Sequence, residues 1–339
     1  MKLYVKLKFI LVFDIIVLII PNRGAVKMDI LQTSMYTIKT FNRLKSAKLR
    51  PYIDLYVHSI YECTINLMLD GQLIALQIAD SPVSPISIIL PLDETGLDNL
   101  KIKYKSPVSI DGTNLLVGKN IISLDHAYDV YDDTLYEHTF SSSLRGVVWE
   151  LITDSDRDGF STLVKSQNTP DDIALSYAKK KLIDAESICS TMTSGNSADE
   201  PTKSHQLNKL CDSLSGLIGV GTGLTPGGDD FITGVLSTFK AFPQCFNSRL
   251  ISSLSNSVCS RRNNTNEISS TFIDCALRGQ FSKAIIDLYD SVCSDNVQAS
   301  GIGQETIYNL LDSFLDIGHT SGIDTLTGIF WSMKHLSKI

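Results

Sequence analysis

An α+β architecture, with a β-rich N-terminal domain followed by a helical C-terminal domain, is predicted by three features of this 339-residue chain. Up to about residue 150, short apolar runs alternate with Gly, Pro and Asp turn signals, the pattern of strands. From about residue 168 the apolar residues recur at helical spacing. Within that helical half, two glycine–aspartate turns repeat one pattern. They are Gly228-Asp229-Asp230-Phe231-Ile232-Thr233-Gly234 and Gly322-Ile323-Asp324-Thr325-Leu326-Thr327-Gly328, both reading Gly-x-Asp-x-(Ile/Leu)-Thr-Gly.

Residues 65–69 and 73–78 flank Asp70-Gly71, a dipeptide that favours a tight hairpin turn. Residues 86–90, between Pro85 and Pro91, read as another strand. Residues 100–104 and 120–124 add two more, with Asp111-Gly112 and Gly118 as turns. Thr169-Pro170 is a start signal for a helix over 171–188. The Ser- and Thr-rich stretch 190–204 reads as a loop. Helices are expected over 207–217, over 231–242 (stopped by Pro243), over 268–277, 282–292 and 305–316, and from the second turn to about Leu336. The Arg- and Asn-rich stretch 261–266 reads as a polar loop. The domain boundaries drawn from this are 28–160 for the β-rich part and 165–339 for the helical part.

Hydrophobic residues at 43% and charged residues at 20% describe a globular chain long enough for two domains with cores of their own. A net charge of −7 leaves no basic footprint and argues against nucleic acid as a partner. The seven cysteines, Cys63, Cys189, Cys211, Cys245, Cys259, Cys275 and Cys293, form no CxxC pair. They argue against a disulfide framework or a zinc site, fit a reducing cytosol, and read as small buried hydrophobes. Residues 1–27 are a hydrophobic N-terminal extension: Lys2, Lys6 and Lys8 precede a run over 9–20 that is apolar except for Asp14. The run is short for a membrane span and carries a charge in its middle. The reading preferred here is a start at Met28 and a cytoplasmic protein; the alternative is an anchor or an uncleaved signal.

The two turns carry the chemistry. Each is expected to feed a helix N-terminus, the two facing each other across a pseudo-two-fold axis and aimed at one cavity. Pro226 suits a first helical position, and Gly227 and Gly228 let a ligand approach the backbone. Asp229, Asp230 and Asp324 sit where a helix dipole favours negative charge. The backbone N–H groups of Gly227, Gly228 and Gly322, assisted by the Thr225 and Thr320 hydroxyls, can hold a small anion. A carboxylate beside an anion repels it, and Mg²⁺ held by Asp229 and Asp230 would remove that conflict. The plainer alternative is that both turns only cap and pack helices.

Other candidates are weaker. Asp154–Gly159 imitates a calcium loop but has Lys165 where a bidentate Glu is required, so it reads as a polar interdomain turn. His58 and Ser59 lack the GxSxG elbow of a serine hydrolase. His319 is open between proton transfer and capping. Arg261 and Arg262 suit an anion or a solvated loop, and Thr265 and Ser269 suit a ligand or a helix cap. No Walker lysine follows the glycines, so the first turn is not a P-loop, and no βαβ unit contains them, which argues against a Rossmann site.

The string Leu217-Ile218-Gly219-Val220-Gly221-Thr222-Gly223-Leu224-Thr225-Pro226-Gly227-Gly228-Asp229-Asp230-Phe231 resembles the signature of the AllH-like family of oxamate carbamoyltransferase subunits. Gly318-His319-Thr320-Ser321-Gly322-Ile323-Asp324 resembles its second signature, and Val57-His58-Ser59-Ile60 with Ile65-Asn66-Leu67 its N-terminal one. Thr265 to Ser270, with Ala276-Leu277-Arg278-Gly279, resembles a fourth segment. The resemblance spans about residues 45 to 335. It implies one subunit of a three-subunit enzyme that moves a carbamoyl group between oxalurate and phosphate, giving oxamate and carbamoyl phosphate in anaerobic allantoin breakdown. Together with the turn chemistry it marks Asp229, Asp230, Asp324 and His319 as catalytic candidates. Gly223, Thr225, Gly227, Gly228, Thr320, Ser321, Gly322, His58, Ser59, Asn66 and Thr265 are the anion-binding candidates. No organic cofactor is implied. Two rival readings stay open: a stand-alone Mg²⁺-dependent enzyme on a small phosphorylated or carbamoylated metabolite, and a non-catalytic binding or assembly subunit.

Overall fold

A computed structural model describes residues 30–47, 54–125, 127, 129–166, 168–194, 199–294, 302–337 and 339; the apolar run within 1–27 lies outside them. Among the described residues the strands end at Tyr131 and the chain from Leu144 onward is helical, as the α+β reading expects.

The strands form two mixed sheets. One has four strands in the order β1 (Ile30–Gln32), β9 (Asn120–Ser123), β8 (Asn114–Val117) and β7 (Val108–Asp111). The other has six, in the order β10 (Asp129–Tyr131), β2 (Met35–Thr37), β6 (Ser87–Ile89), β5 (Gln72–Gln77), β4 (Thr64–Leu69) and β3 (Leu55–Ile60). The β4–β5 hairpin turns at Asp70 (φ 48°) and Gly71 (φ 76°), the left-handed pair that Asp-Gly favours. Both of its strands are buried almost throughout, because both faces are covered. Ile65, Leu67, Leu69, Ile74 and Leu76 enter the core of the sheets; Met68, Leu73 and Ala75 point the other way, into a seam with the helical part.

The expected strand at 100–104 is absent. A short helix α2 (Glu94–Asn99) stands before it, capped by the Asp93 side chain accepting from the Gly96 N–H at 2.7 Å. Lys101 and Lys105 then take left-handed backbone, which breaks any extended run, although Ile102 is still buried. Helix α1 (Ile38–Ala47) follows β2 and packs Phe41, Leu44 and Ala47 on the sheets.

The helical part comprises α3 (Leu144–Asp154), α4 (Ser161–Lys165), α5 (Ile173–Thr193), α6 (Glu200–Ser215), α7 (Gly227–Ala241), α8 (Ser248–Arg261), α9 (Glu267–Leu277), α10 (Lys283–Cys293), α11 (Gln304–Leu315) and α12 (Ser321–His335). Its core starts ahead of the boundary drawn at 160–165: Leu144, Val147, Val148, Leu151 and Ile152 of α3 join the same cluster as Phe231 and Trp331. The described residues of the loop expected over 190–204 are mostly helix. α5 runs on to Thr193, and α6 begins at Glu200, where the Asp199 side chain caps the Thr202 N–H. Ser and Thr fit there because Ser190, Thr191 and Thr193 bond back to carbonyls four residues earlier. α8 is an unforeseen helix; its apolar stripe of Leu250, Leu254 and Val258 is narrow among serines. The expected polar loop at 261–266 is a short 3₁₀ turn, Arg262–Asn264, leading into α9.

The seam between the two parts is small and apolar. Met68, Leu73, Ala75 and Ile86 from the sheet meet Ile268, Phe272 and Cys275 of α9. α9 thereby fixes the helical part against the sheet and, through the residues at its start, reaches the first glycine–aspartate turn.

Candidate active site

Both turns open helices, as the sequence predicts: the first opens α7 and the second α12. The two helices lie side by side in the same direction, and their approach is reciprocal. A Cβ on Gly234 would meet the Thr325 carbonyl oxygen at 2.1 Å, and one on Gly328 would meet the Phe231 carbonyl oxygen at 2.0 Å. Phe231 and Thr325 hold equivalent places in the two repeats, so each glycine seats the backbone of the other helix. The helix starts match as well. A Cβ on Gly228 would meet the Leu217 carbonyl oxygen at 2.0 Å, and one on Gly322 the Phe314 carbonyl oxygen at 1.9 Å. These distances exclude any side chain and explain the glycines as close-packing residues.

The same geometry corrects the anion-binding role of two glycines. The Gly228 N–H donates to the Val220 carbonyl at 2.9 Å, and the Gly322 N–H to the Ile317 carbonyl at 3.3 Å. Both donors are taken by the turns themselves, so Gly228 and Gly322 do not present N–H groups to a ligand. What meets between the helix starts is side chains. Thr225 Oγ1 and Ser321 Oγ bond each other at 2.7 Å, joining the two turns directly.

Asp230 and Asp324, the matched acids of the repeat, come close together at these helix starts, where the Asp324 charge and the Ser321 and Thr225 hydroxyls act on Asp230. The Asp324 carboxyl is buried; its Oδ1 accepts from the Phe160 N–H at 2.6 Å, and its Oδ2 is enclosed without a hydrogen-bond partner. Burial pushes its pKa up to about 7, against the pull of the Phe160 N–H and the Thr320 hydroxyl. Asp230 keeps some surface, but its Oδ2 is likewise enclosed and unpartnered. Burial first, and then the neighbouring charge of Asp324, raise its pKa well above the ordinary carboxylate value; the Ser321 and Thr225 hydroxyls offset part of this. Burial thus pushes both carboxyls toward their protonated forms.

Asp229, adjacent in sequence, points elsewhere. Its Oδ1 accepts from the Gly219 N–H at 2.7 Å and its Oδ2 from the Thr265 hydroxyl at 2.5 Å. Asp229 thus ties the glycine loop and the start of α9 to α7. Both oxygens of the Asp229 carboxylate are thus engaged by donors of this chain. Among the described residues, no group of three or more His, Cys, Asp and Glu side chains is assembled that could hold a metal ion.

The remaining candidates fall into two places. His58 occupies a bulge in β3, between the pairings of Val57 and Ser59 with β4. Its Nδ1 lies 3.0 Å from Ser59 Oγ, which accepts from Asn66 Nδ2 at 3.1 Å, and its Nε2 lies 2.6 Å from Glu267 Oε2. Glu267 opens α9, directly after Thr265, which holds Asp229, and Asn266, whose Nδ2 donates to the Leu224 carbonyl at 2.9 Å. The His58, Ser59 and Asn66 array is therefore linked to the first turn through residues 265–267 and makes no direct bond to the acid pair. Gly223 (φ 100°) is exposed in the glycine loop. His319 is exposed, and its carbonyl accepts from Arg157 Nη1 at 3.1 Å. Arg261 and Arg262 pair with Asp212 and Asp274.

Three residues escaped the sequence reading: Arg157, Gly159 and Phe160. The loop that imitates a calcium site instead closes the second turn. Arg157 Nη1 donates to the carbonyls of Leu315, Gly318 and His319. A Cβ on Gly159 (φ 96°) would strike Asp324 Oδ1 at 2.5 Å. The only local signal was the glycine ending an acidic turn, and nothing in the pattern tied it to a residue more than 160 positions later.

A parallel pair of helices whose starts are bridged by two hydroxyls and enclose two acids with raised pKa values fits a component of a small-molecule enzyme, with the helix dipoles favouring an anionic ligand. The model of the AllH family N-terminal domain matches residues 29–129, and that of the oxamate carbamoyltransferase subunit AllH matches residues 217–333. The chain belongs to the AllH family and is a subunit of an oxamate carbamoyltransferase. Residues 130–216, which include the Arg157–Phe160 loop, lie outside both matches. No curated protein and no solved structure matches the chain.

Proposed function

We propose that this subunit carries the proton-handling centre of carbamoyl transfer between oxalurate and phosphate. The observation that carries the reading is the Asp230–Asp324 pair, each with an enclosed and unpartnered Oδ2, at the joined starts of α7 and α12. In the direction of oxalurate breakdown, a phosphate oxygen attacks the ureido carbon and the C–N bond to the oxamate nitrogen breaks. That nitrogen needs a proton to leave as an amide, and the attacking phosphate has one to lose. A carboxyl pair sharing one proton does both: the protonated member donates to the leaving nitrogen and the ionised member accepts from phosphate. The Thr225 and Ser321 hydroxyls and the positive ends of two helices would favour the charge that the carbonyl oxygen gains.

The donor set fits a shared proton better than Mg²⁺. Among the described residues no third carboxylate, His or Cys joins these two acids, and Asp324 Oδ1 is already bonded to a backbone N–H, a partner that competes with a cation. Were Mg²⁺ required, Asp230 and Asp324 are the residues that would hold it, and it would supply positive charge to the phosphate and the carbonyl oxygen. The family implies further subunits; we take them to be the two other chains of the carbamoyltransferase.

The test is to co-purify the chain with its two partner subunits and measure carbamoyl phosphate formed from oxalurate and phosphate. Asp230→Asn and Asp324→Asn should each lower turnover by about 100-fold or more, the scale of lost general acid–base catalysis, with the complex intact. Full turnover in both variants would remove the acid pair from the mechanism and leave the subunit an assembly role.

A further inference from the structure

The loop Arg157–Phe160 comes from the stretch that neither family match covers, yet it closes on one acid of the candidate site. The Phe160 N–H donates to Asp324 Oδ1 at 2.6 Å. The two oxygens of that carboxyl lie against two glycines. A Cβ on Gly159 would meet Oδ1 at 2.5 Å, and one on Gly227, at the start of α7, would meet Oδ2 at 2.6 Å. Phe160 itself is buried; its ring lies against Gly227 and tilts on Phe231 at 5.7 Å between centroids. Asp324 is 1% exposed, whereas Asp230 keeps some surface. The acid pair is thus open to solvent at Asp230 and shut at Asp324.

One guanidinium pins this loop. Arg157 Nη1 donates to the carbonyls of Leu315, Gly318 and His319, which end α11 and lead into α12. A cation on the carbonyl end of a helix makes charge-assisted hydrogen bonds and meets the favourable end of the helix dipole. The loop therefore spans two anchors: Arg157 on the end of α11 and Phe160 on Asp324 of α12. Such a seal bears on the reaction. Water can attack the ureido carbon of oxalurate in the place of phosphate. The C–N bond then breaks, the oxamate nitrogen takes the proton that water gives up, and the carbamate left decays to ammonia and carbon dioxide. A closed site keeps that side reaction out.

We propose that Arg157 is a positioning residue that makes phosphate rather than water the acceptor, because it anchors the loop that seals Asp324. It acts through the Gly159 backbone and the Phe160 N–H, not on the substrate. The inference rests on the acid pair as the site of carbamoyl transfer and adds what selects the acceptor there.

The assembled enzyme, supplied with oxalurate and phosphate, tests it through the initial rates of oxamate and of carbamoyl phosphate formation. The wild type should form the two in equal amounts. Arg157→Gln should form oxamate in excess of carbamoyl phosphate by about twofold or more, because a loop held by charged hydrogen bonds opens about tenfold more often once they are lost. Arg157→Lys, which keeps the charge without the planar fork, should restore most of the balance. A merely structural arginine would lower both rates and leave their ratio at the wild-type value, which overturns the proposal. If Arg157→Gln fails to assemble, amide hydrogen exchange of the wild-type complex decides. A Phe160 N–H that exchanges as slowly as the core of α12 supports the seal, and one that exchanges as fast as the exposed residues Thr222 to Leu224 overturns it. The acid-pair reading fails separately, by full turnover with balanced products in Asp324→Asn.

Discussion

At the scale of single residues, the two turns treat two of their acids differently, although burial raises both. Asp229 is raised by burial, but the Thr265 hydroxyl, the Gly219 N–H and Ser269 pull it back, and it serves as a tie. Asp324 has one N–H donor for two oxygens, and burial wins. Its folded-state pKa of about 7 lies above the ordinary 3.8, so folding takes up a proton there. The contribution to stability is fully present below the unfolded pKa and is lost as pH rises through the folded one. Stability should therefore fall between about pH 4 and pH 7, by up to about 1.4 kcal/mol per pH unit from this group. Asp324→Asn, which keeps the shape and removes the charge, should flatten that part of the profile. Urea midpoints measured across the range check this; an unchanged slope in the variant would place the titration elsewhere. The sequence marked both acids and both turns. It did not separate a tie from a proton holder, because that difference depends on donors from residues 36 and 164 positions away.

At the scale of elements, the α7–α12 pair is held close by glycines that no side chain can replace. Gly234→Ala and Gly328→Ala should each cost about 3 kcal/mol or more, the upper range for overpacking, because backbone rather than a movable side chain occupies the space. Matched losses in the two variants, read by chemical denaturation, are the signature of a reciprocal contact; a neutral effect in either would mean that the helices can separate. The repeat was legible because a close parallel crossing demands glycine at fixed positions on both partners. α8 and the continuation of α5 were not legible, because serine-rich helices lack a wide apolar stripe and rely on packing from neighbours. The missing strand at 100–104 has the opposite cause: an apolar alternation over a segment that a capped helix and two left-handed lysines hold out of the sheet.

At the scale of the molecule, the two parts meet through α9. Its apolar face packs on the hairpin, and its first residues bond to His58 on one side and to the glycine loop on the other. Glu267 is largely exposed, at 70%, so the His58–Glu267 pair should contribute little stability. His58→Ala should shift the unfolding free energy by less than about 1 kcal/mol. A larger effect on turnover of the assembled enzyme than on the urea midpoint would tie the β-part array to the reaction; parallel effects would make it a structural contact. Among the described residues, no helix is long and apolar enough to cross a membrane. The sequence by itself determined the order of sheet part and helical part, the hairpin, and the two helix starts with their acids, because strand alternation, turn dipeptides and helix-start residues are local requirements. Only the tertiary structure decided which acids come together, that the Gly228 and Gly322 N–H groups are already occupied, and that Arg157, Gly159 and Phe160 close the second turn. Those outcomes depend on which donors and how much burial the fold brings to each carboxyl from distant parts of the chain.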